Sequence, residues 1–377
     1  MSSSSPKLWI VAGEASGDTR GAELLRELKK QSPQIRLIGS GGPKMAALCD
    51  SPYDNWIEQA GVLGLWDVLR HYPYFRKKFN QTLTGIAHEK PDAIILIDYP
   101  GFNLRLAKAL RKKHPSLKII YYISPQVWAW NRRRIPVMAA TLDLMICIFP
   151  FEKTLYENSG LKTEFAGHPL AEELPALDKT PSIAQRDPHL LAFLPGSRDR
   201  EIHRLFPVML ATAQRILKSR PEIHFAAAAA REDQRQWMQE QADALKLPLQ
   251  VSTHTAHTLM QTASVGIVCS GTATLESAFY GLPYCLVYKV NWLTWEVGRR
   301  LVKIPFLGII NILAQRPLVR EFIQQNCTPA QLADESLRLL NSQEAREKLS
   351  RDLQATTAQL GGPGAATRAA TAILEET

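Results

Sequence analysis

Four short stretches combine glycines with hydroxyl, carboxylate or guanidinium groups at spacings suited to phosphate and sugar chemistry: GEASGD (13–18), DYPGFN (98–103), PGSRDRE (195–201) and SGTATLE (270–276). In PGSRDRE, Gly196 allows close backbone approach, Ser197 can donate a hydrogen bond, and Arg198 offers a planar fork that matches phosphate. The stretch stands where an apolar run gives way to a helical pattern, and the unpaired N–H groups of a helix's first turn favour an anion. The alternative there is a helix cap with a surface arginine. In SGTATLE, Ser270, Gly271, Thr272 and Ala273 present backbone N–H groups around a tight turn, and Glu276, one turn on, is placed to accept the two hydroxyls of a ribose. The alternative is a capping box with Thr272 as N-cap, one residue longer than usual.

GEASGD offers Glu14, Ser16 and Asp18 as hydrogen-bonding groups and Gly13 and Gly17 for close approach, a set able to hold sugar hydroxyls and a phosphate. Ordinary turn chemistry with Asp18 as N-cap is the competing account. Asp98 ends the apolar run AIILID (93–98), where a carboxylate on a rigid element suits a general base that deprotonates an attacking hydroxyl. Its competing role is to cap the helix near 101–114. His168, in AGHPL, either touches substrate or satisfies a linker backbone.

These stretches need strand ends to carry them, and the sequence supplies strands twice over. KLWIVA (7–12), IRLIG (35–39), AIILID (93–98), KIIYYI (118–123) and LMICIF (144–149) alternate with helical patterns, and a proline-bearing break follows at 167–190. A second series then comprises LLAFL (190–194), IHFAAAA (223–229), LQV (249–251), VGIVC (265–269) and YCLVY (284–288). Continuous apolar strands alternating with helices predict parallel sheets covered on both faces. The expected fold is therefore α/β, with two doubly wound, Rossmann-like domains facing across a cleft. The expected divisions are 1–170 and 171–344, with helices from about 345–377 packing back on the first domain or on a partner.

Neither G-x-x-x-x-G-K-[ST] nor G-x-G-x-x-G occurs, which argues against a P-loop NTPase and a standard dinucleotide oxidoreductase. A nucleoside diphosphate bound without a dedicated metal or cofactor is the remaining expectation. The five cysteines show no C-x-x-C pairing, so neither a disulfide framework nor a zinc site is expected, in keeping with a reducing cytoplasm. MSSSSPKLWIVAG has no signal-peptide pattern, and no apolar run reaches the roughly 18 residues of a spanning helix. The net charge of +9 points to an anionic partner, but its basic clusters are scattered, so nucleic acid is not expected. The segment GVLGLWDVLRHYPYF (61–75) has a wide apolar face, including Val62, Leu65, Trp66, Leu69 and Tyr72, followed by Arg76, Lys77 and Lys78. That suits an interfacial membrane element or an acyl-chain contact, against the alternative of a helix buried in the first core.

Taken together and in order, GEASGD (13–18), SPQVWAW (124–130), GHP (167–169), LPGSR (194–198) and SGTATLE (270–276) resemble the lipid-A-disaccharide synthase family, over a match running from about residue 7 into the final helices. The resemblance implies an inverting glycosyltransferase of the two-domain GT-B type. Its donor would be UDP-2,3-diacylglucosamine and its acceptor 2,3-diacylglucosamine 1-phosphate; the products would be the β-1,6-linked lipid A disaccharide 1-phosphate and UDP. It also implies a metal-independent enzyme, peripheral on the cytoplasmic face of the inner membrane of a Gram-negative cell, able to dimerise through its C-terminal region. By position, Gly196, Ser197 and Arg198 resemble the diphosphate site, and Ser270 to Glu276 the nucleotide and ribose site. Asp98 resembles the base, and 61–75 the membrane-contacting region. Asn311 aligns with a nucleotide contact, although Ile310 stands where the family often has proline; Ala171 and Glu172 follow Leu170 where an aspartate is frequent. The alternative on the same scaffold is an isomerase resembling UDP-N-acetylglucosamine 2-epimerases, which would have no use for the 61–75 segment.

Overall fold

A computed structural model describes residues 6–57, 72–174, 180–301 and 304–377. The chain forms two compact units, Met1–Glu172 with Leu360–Thr377, and Glu173–Gln359. The first unit holds strands β1 (Lys7–Ala12), β2 (Arg36–Gly41), β3 (Tyr53–Asn55), β4 (Ala93–Ile97), β5 (Lys118–Tyr122), β6 (Leu144–Cys147) and β7 (Thr163–Phe165). They make one seven-stranded sheet in the order β3-β2-β1-β4-β5-β6-β7, and the pairs are parallel. All five residues of β4 are fully buried, the consequence of helices covering both faces of a parallel sheet.

On one of those faces the helix Ala15–Gln31 buries Ala22, Leu24, Leu25 and Leu28, a stripe at helical spacing. Its other neighbour comes from far along the chain: the helix Ala365–Glu376 lies against it, with Ala369, Ala370 and Ile373 at 0% exposure. Polar stitches complete this contact, Thr367 Oγ1 donating to Glu27 at 2.9 Å and Thr371 Oγ1 to Gln31 at 3.0 Å. The helix Gln343–Ala358, grouped from sequence with those returning helices, belongs instead to the second unit, where its Leu353 is fully buried.

The second unit holds β8 (Asp187–Leu194), β9 (His224–Ala229), β10 (Leu249–Thr253), β11 (Ala263–Cys269), β12 (Tyr284–Tyr288) and β13 (Glu321–Ile323). Their order is β10-β9-β8-β11-β12-β13, again in parallel pairs. The helix Asp199–Leu217 packs on this sheet through Ile202, Leu205, Phe206, Met209, Ala213 and Ile216, one face at i, i+3, i+4 and i+7.

Each sheet therefore reverses its strand order once, between β1 and β4 in the first unit and between β8 and β11 in the second. Such a reversal opens a crevice outside the carboxyl ends of the two strands, because the following loops turn away to opposite faces. GEASGD follows β1, DYPGFN starts with the residue after β4, PGSRDRE follows β8 and SGTATLE follows β11. All four chemical stretches lie at these two reversals. Among the described residues, no helix is long and apolar enough to cross a membrane.

Candidate functional site

The crevice of the second unit has a volume of about 500 Å³, between the loops after β8 and β11 and over the ends of β9 and β10. Gly196 has φ +104°, and a Cβ there would stand 2.5 Å from Glu201 Oε2, so glycine satisfies both the turn and the close approach. Glu201 accepts from the Arg198 backbone N–H at 3.4 Å and from Arg198 Nη1 at 2.7 Å. The Arg198 side chain is 82% exposed, so this pair is weak and exchangeable for an arriving anion. The loop is braced from below. Gln234 Nε2 donates to the Ser197 carbonyl at 3.0 Å and to Asp199 Oδ1 at 2.7 Å, and Arg231 Nη2 donates to the same Asp199 oxygen at 2.7 Å.

Across the crevice, the Ser270 N–H is spent on the Val287 carbonyl at 2.9 Å, which leaves its side chain and the following turn to face the opening. Gly271, at φ +151°, is the N-cap of the helix Thr272–Phe279, and a Cβ built on it would meet open space. Thr272 is thus the first helical residue, and no side-chain cap is made. The capping-box alternative is not what this turn builds. Glu276 lies 3.8 Å from His257 Nε2, and burial raises the pKa of its carboxyl. Ala273 and His254 complete the lining nearest these groups.

Asn311 does not join them. It is 0% exposed; its Nδ2 donates to the Val319 carbonyl at 2.9 Å and to Glu321 Oε1 at 2.8 Å, while its Oδ1 accepts the Val319 N–H at 2.9 Å. An amide with its hydrogen bonds spent in a closed pocket fixes β13's approach and has nothing left for a nucleotide.

In the first unit Glu14 is the N-cap of the helix Ala15–Gln31, makes no side-chain cap bond and is exposed, as is Ser16; Gly17 is buried. Asp18 departs from its expected role as a sugar contact. It is 3% exposed, and its carboxylate accepts from the backbone N–H groups of Gly42 (3.1 Å), Lys44 (3.0 Å) and Met45 (3.0 Å). It caps the neighbouring short helix Pro43–Ala46 rather than its own helix.

Asp98 and Tyr99 both have left-handed backbones, φ +44° and +48°, an uncommon pair for residues other than glycine. Three hydrogen bonds hold the bend. The Asp98 N–H donates to the Tyr122 carbonyl at 3.0 Å, and the Asp98 carbonyl accepts from Asn103 Nδ2 at 2.8 Å and from the Tyr121 hydroxyl. The helix Pro100–Lys113 has Tyr99 as its N-cap and no side-chain cap bond, so the capping role considered for Asp98 is not taken up. Burial, with a smaller push from Glu14, raises the Asp98 carboxyl to about 6, against the stabilising N–H of Tyr99.

His168 is held within its own loop. Its Nδ1 accepts from the Leu170 N–H at 3.2 Å, its ring lies 5.2 Å from that of Phe149, and burial depresses its pKa to about 4. SPQVWAW is likewise braced: Trp128 Nε1 donates to the buried Glu152 at 2.9 Å, and the Tyr156 hydroxyl donates to the Pro125 carbonyl at 3.0 Å. Val62, Leu65, Trp66 and Leu69 lie outside the described residues, as does the side chain of Tyr72, whose backbone opens the helix Tyr72–Glu89. Among the described residues no group of three or more His, Cys, Asp or Glu is arranged to hold a metal ion.

Sequence reasoning missed Glu201, Gln234 and His257. Glu201 carried a signal, its spacing of three from Arg198; Gln234 supports Ser197 and Asp199, and His257 stands beside Glu276, each from the helix after another strand, a juxtaposition with no local trace.

The arrangement is one of two crevices, one rich in anion donors and one with a poised carboxylate. The fold recurs in the UDP-GlcNAc 2-epimerase from Neisseria meningitidis bound to UDP-GlcNAc (TM-score 0.61, 11% identity, covering 98% of this chain and 100% of that one). It recurs also in the glycotransferase of kitacinnamycin (TM-score 0.57, 14% identity, 99% of each chain). Identities this low speak to fold alone. Sequence relatives are much nearer. The lipid-A-disaccharide synthase of Nitrosococcus oceani is 37% identical over 96% of this chain and 94% of its own length. Lipid-A-disaccharide synthase 1 of Legionella pneumophila (strain Paris) is 39% identical over 86% of this chain and 85% of its own. A family model described as Lipid-A-disaccharide synthetase matches residues 8–375, and the chain belongs to that glycosyltransferase family.

Proposed function

We propose that this glycosyltransferase joins UDP-2,3-diacylglucosamine to the 6-hydroxyl of 2,3-diacylglucosamine 1-phosphate, inverting the anomeric centre and releasing UDP. Asp98 takes the proton from the acceptor hydroxyl as its oxygen attacks the donor's anomeric carbon. The bond from that carbon to the diphosphate oxygen breaks, and the electron pair leaves with UDP. Gly196, Ser197 and Arg198, with the turn Ser270–Ala273, stabilise the charge that grows on the diphosphate. Glu276 holds the ribose hydroxyls. With these donors in place, a metal ion has no required part in the step.

The reading rests above all on Asp98: a half-buried carboxyl with a pKa raised to about 6, at a strand end, on a backbone held in a costly conformation and not used as a cap. A base poised near neutrality is what deprotonation of a hydroxyl calls for. The remote epimerase likeness, at 11% identity, supports a shared scaffold and not a shared reaction. A peripheral position on the inner membrane's cytoplasmic face and a dimer through the C-terminal region belong to the same reading.

The test is turnover of the two acylated substrates in detergent with EDTA, the products resolved by mass. Disaccharide 1-phosphate and UDP in equal amounts are expected. Folded, UDP-binding protein that yields no disaccharide would overturn the reading.

A further inference from the structure

The helices Tyr72–Glu89 and Pro100–Lys113 flank a groove of about 470 Å³ on the first unit, lined by Phe75, Phe79, Phe102 and Tyr99 with Arg76 and Arg105 at its rim. Its rings are held by packing: Phe79 meets Phe102 edge to face with centroids 5.7 Å apart, and behind them Trp56 meets Phe75 edge to face at 6.2 Å and lies tilted against Phe102 at 5.1 Å. Phe75 and Phe79 are half-buried, so apolar surface faces the groove. Arg76 and Arg105 are exposed and have no ion-pair partner among the described residues, whereas Lys78 on the same helix is paired with Asp54 at 2.7 Å.

Apolar rings flanked by two unpaired guanidinium groups call for an amphiphile with an anionic group. Position narrows this further. Tyr99 lines the groove and follows Asp98 directly in the chain, so the groove opens one residue from the base. Of the two substrates, the donor's anion is accounted for by the loops after β8 and β11. The acceptor carries the other anion.

We propose that this groove is the acceptor subsite. Phe75, Phe79 and Phe102 receive an acyl chain, and Arg76 and Arg105 receive the 1-phosphate, leaving the 6-hydroxyl at Asp98. The assignment rests on the glycosyl-transfer reading above and extends it to acceptor selection.

The experiment compares the full-length protein with the double variant Arg76→Gln/Arg105→Gln and with Phe79→Ala. Each is assayed on 2,3-diacylglucosamine 1-phosphate, on the same sugar without its phosphate, and on phosphorylated acceptors of shorter acyl chains. For the double variant the acceptor KM should rise about tenfold or more, since charge-assisted hydrogen bonds are lost, while the donor KM stays within about twofold. On the acceptor without phosphate, wild type and double variant should agree within about twofold. Phe79→Ala should raise KM more for long acyl chains than for short ones. An active wild type whose double variant keeps its acceptor KM, or loses equally on both head groups, would overturn the subsite. An inactive wild type would overturn the glycosyl-transfer reading and the subsite with it.

Discussion

The ring of Tyr99 lies directly over the backbone of Gly13, so near that a Cβ on Gly13 would stand 2.1 Å from Tyr99 Cδ1. Two loops that follow different strands thus set each other's position, and Asp98 is attached to one of them. Gly13→Ala must push the ring aside and with it the bend that carries the carboxylate. We expect a stability loss of about 1–3 kcal/mol in urea melts. Turnover should drop roughly tenfold to a hundredfold, with UDP affinity retained. Unchanged turnover would separate the Tyr99 loop from catalysis.

For Asp98 itself, a folded pKa of about 6 against an ordinary 3.8 fixes the sign of two pH effects. The unprotonated form is the base, so kcat/KM should fall below pH 6 along an acid limb with an apparent pKa near that value. The folded state holds the proton more tightly than the unfolded state. Stability from this group is therefore present below about pH 4 and is lost as the pH rises through 6. Asp98→Asn should cut kcat by about 10²–10⁴. The same variant should be the more stable protein above pH 6, by roughly 1 kcal/mol once partial exposure is allowed for. A variant that is inactive and also less stable would return Asp98 to a structural role.

Arg198 makes the opposite prediction. Its side chain is 82% exposed and tied to Glu201 alone among the described residues, so Arg198→Ala should leave the melting temperature nearly unchanged. UDP affinity should weaken about tenfold or more, and its salt dependence should diminish. Isothermal titration at two ionic strengths reads both quantities.

Asn311 should behave as a core residue. Asn311→Ala leaves the Val319 N–H and carbonyl without their partner and takes one donor from the Glu321 carboxylate, which keeps the N–H groups of Leu307 and Gly308, at a cost of about 2–4 kcal/mol. The fraction that folds should bind UDP with wild-type affinity. A selective loss of UDP binding at full stability would restore the nucleotide contact.

Glu152 is buried with its carboxyl raised to about 7, and it accepts from Trp128 Nε1 and from the Phe149 N–H at 3.2 Å. Trp128 donates to Oε1 and Phe149 to Oε2, so an amide, with a single acceptor oxygen, keeps one of the two bonds, and Glu152→Gln should cost about 1–2 kcal/mol. Glu152→Ala should cost about 2–4 kcal/mol in thermal or urea unfolding, by orphaning both donors. Equal losses in the two variants would contradict this role.

The two-sheet architecture was legible because buried parallel strands are written as continuous apolar runs: AIILI is β4, and VGIVC forms the end of β11. β3, β7 and β13 escaped notice because three residues at or near a sheet edge carry too little pattern. Loop positions were equally legible, since glycine and polar residues interrupt those runs. What the loops' individual side chains do was not. Asp18 and Asn311 have the residue types of ligand contacts, but their partners lie in segments 24 and more, or 8 and more, residues away in sequence. Asp98 was found by its place at a strand end, while the left-handed bend that frees it from capping depends on Tyr121, Tyr122 and Asn103.

Where the chain leaves and re-enters the first unit, Glu172 Oε1 accepts from the N–H groups of Gly364 at 3.0 Å and Ala366 at 3.3 Å. The helix that this carboxylate starts, Ala365–Glu376, is the one that covers Leu24, Leu25 and Leu28's helix. During translation, then, residues 173–359 emerge before the first unit can be sealed. The second unit is free to fold as an intact module, while the first waits on the ribosome with the helix Ala15–Gln31 uncovered. Order of synthesis and order of completion run in opposite directions.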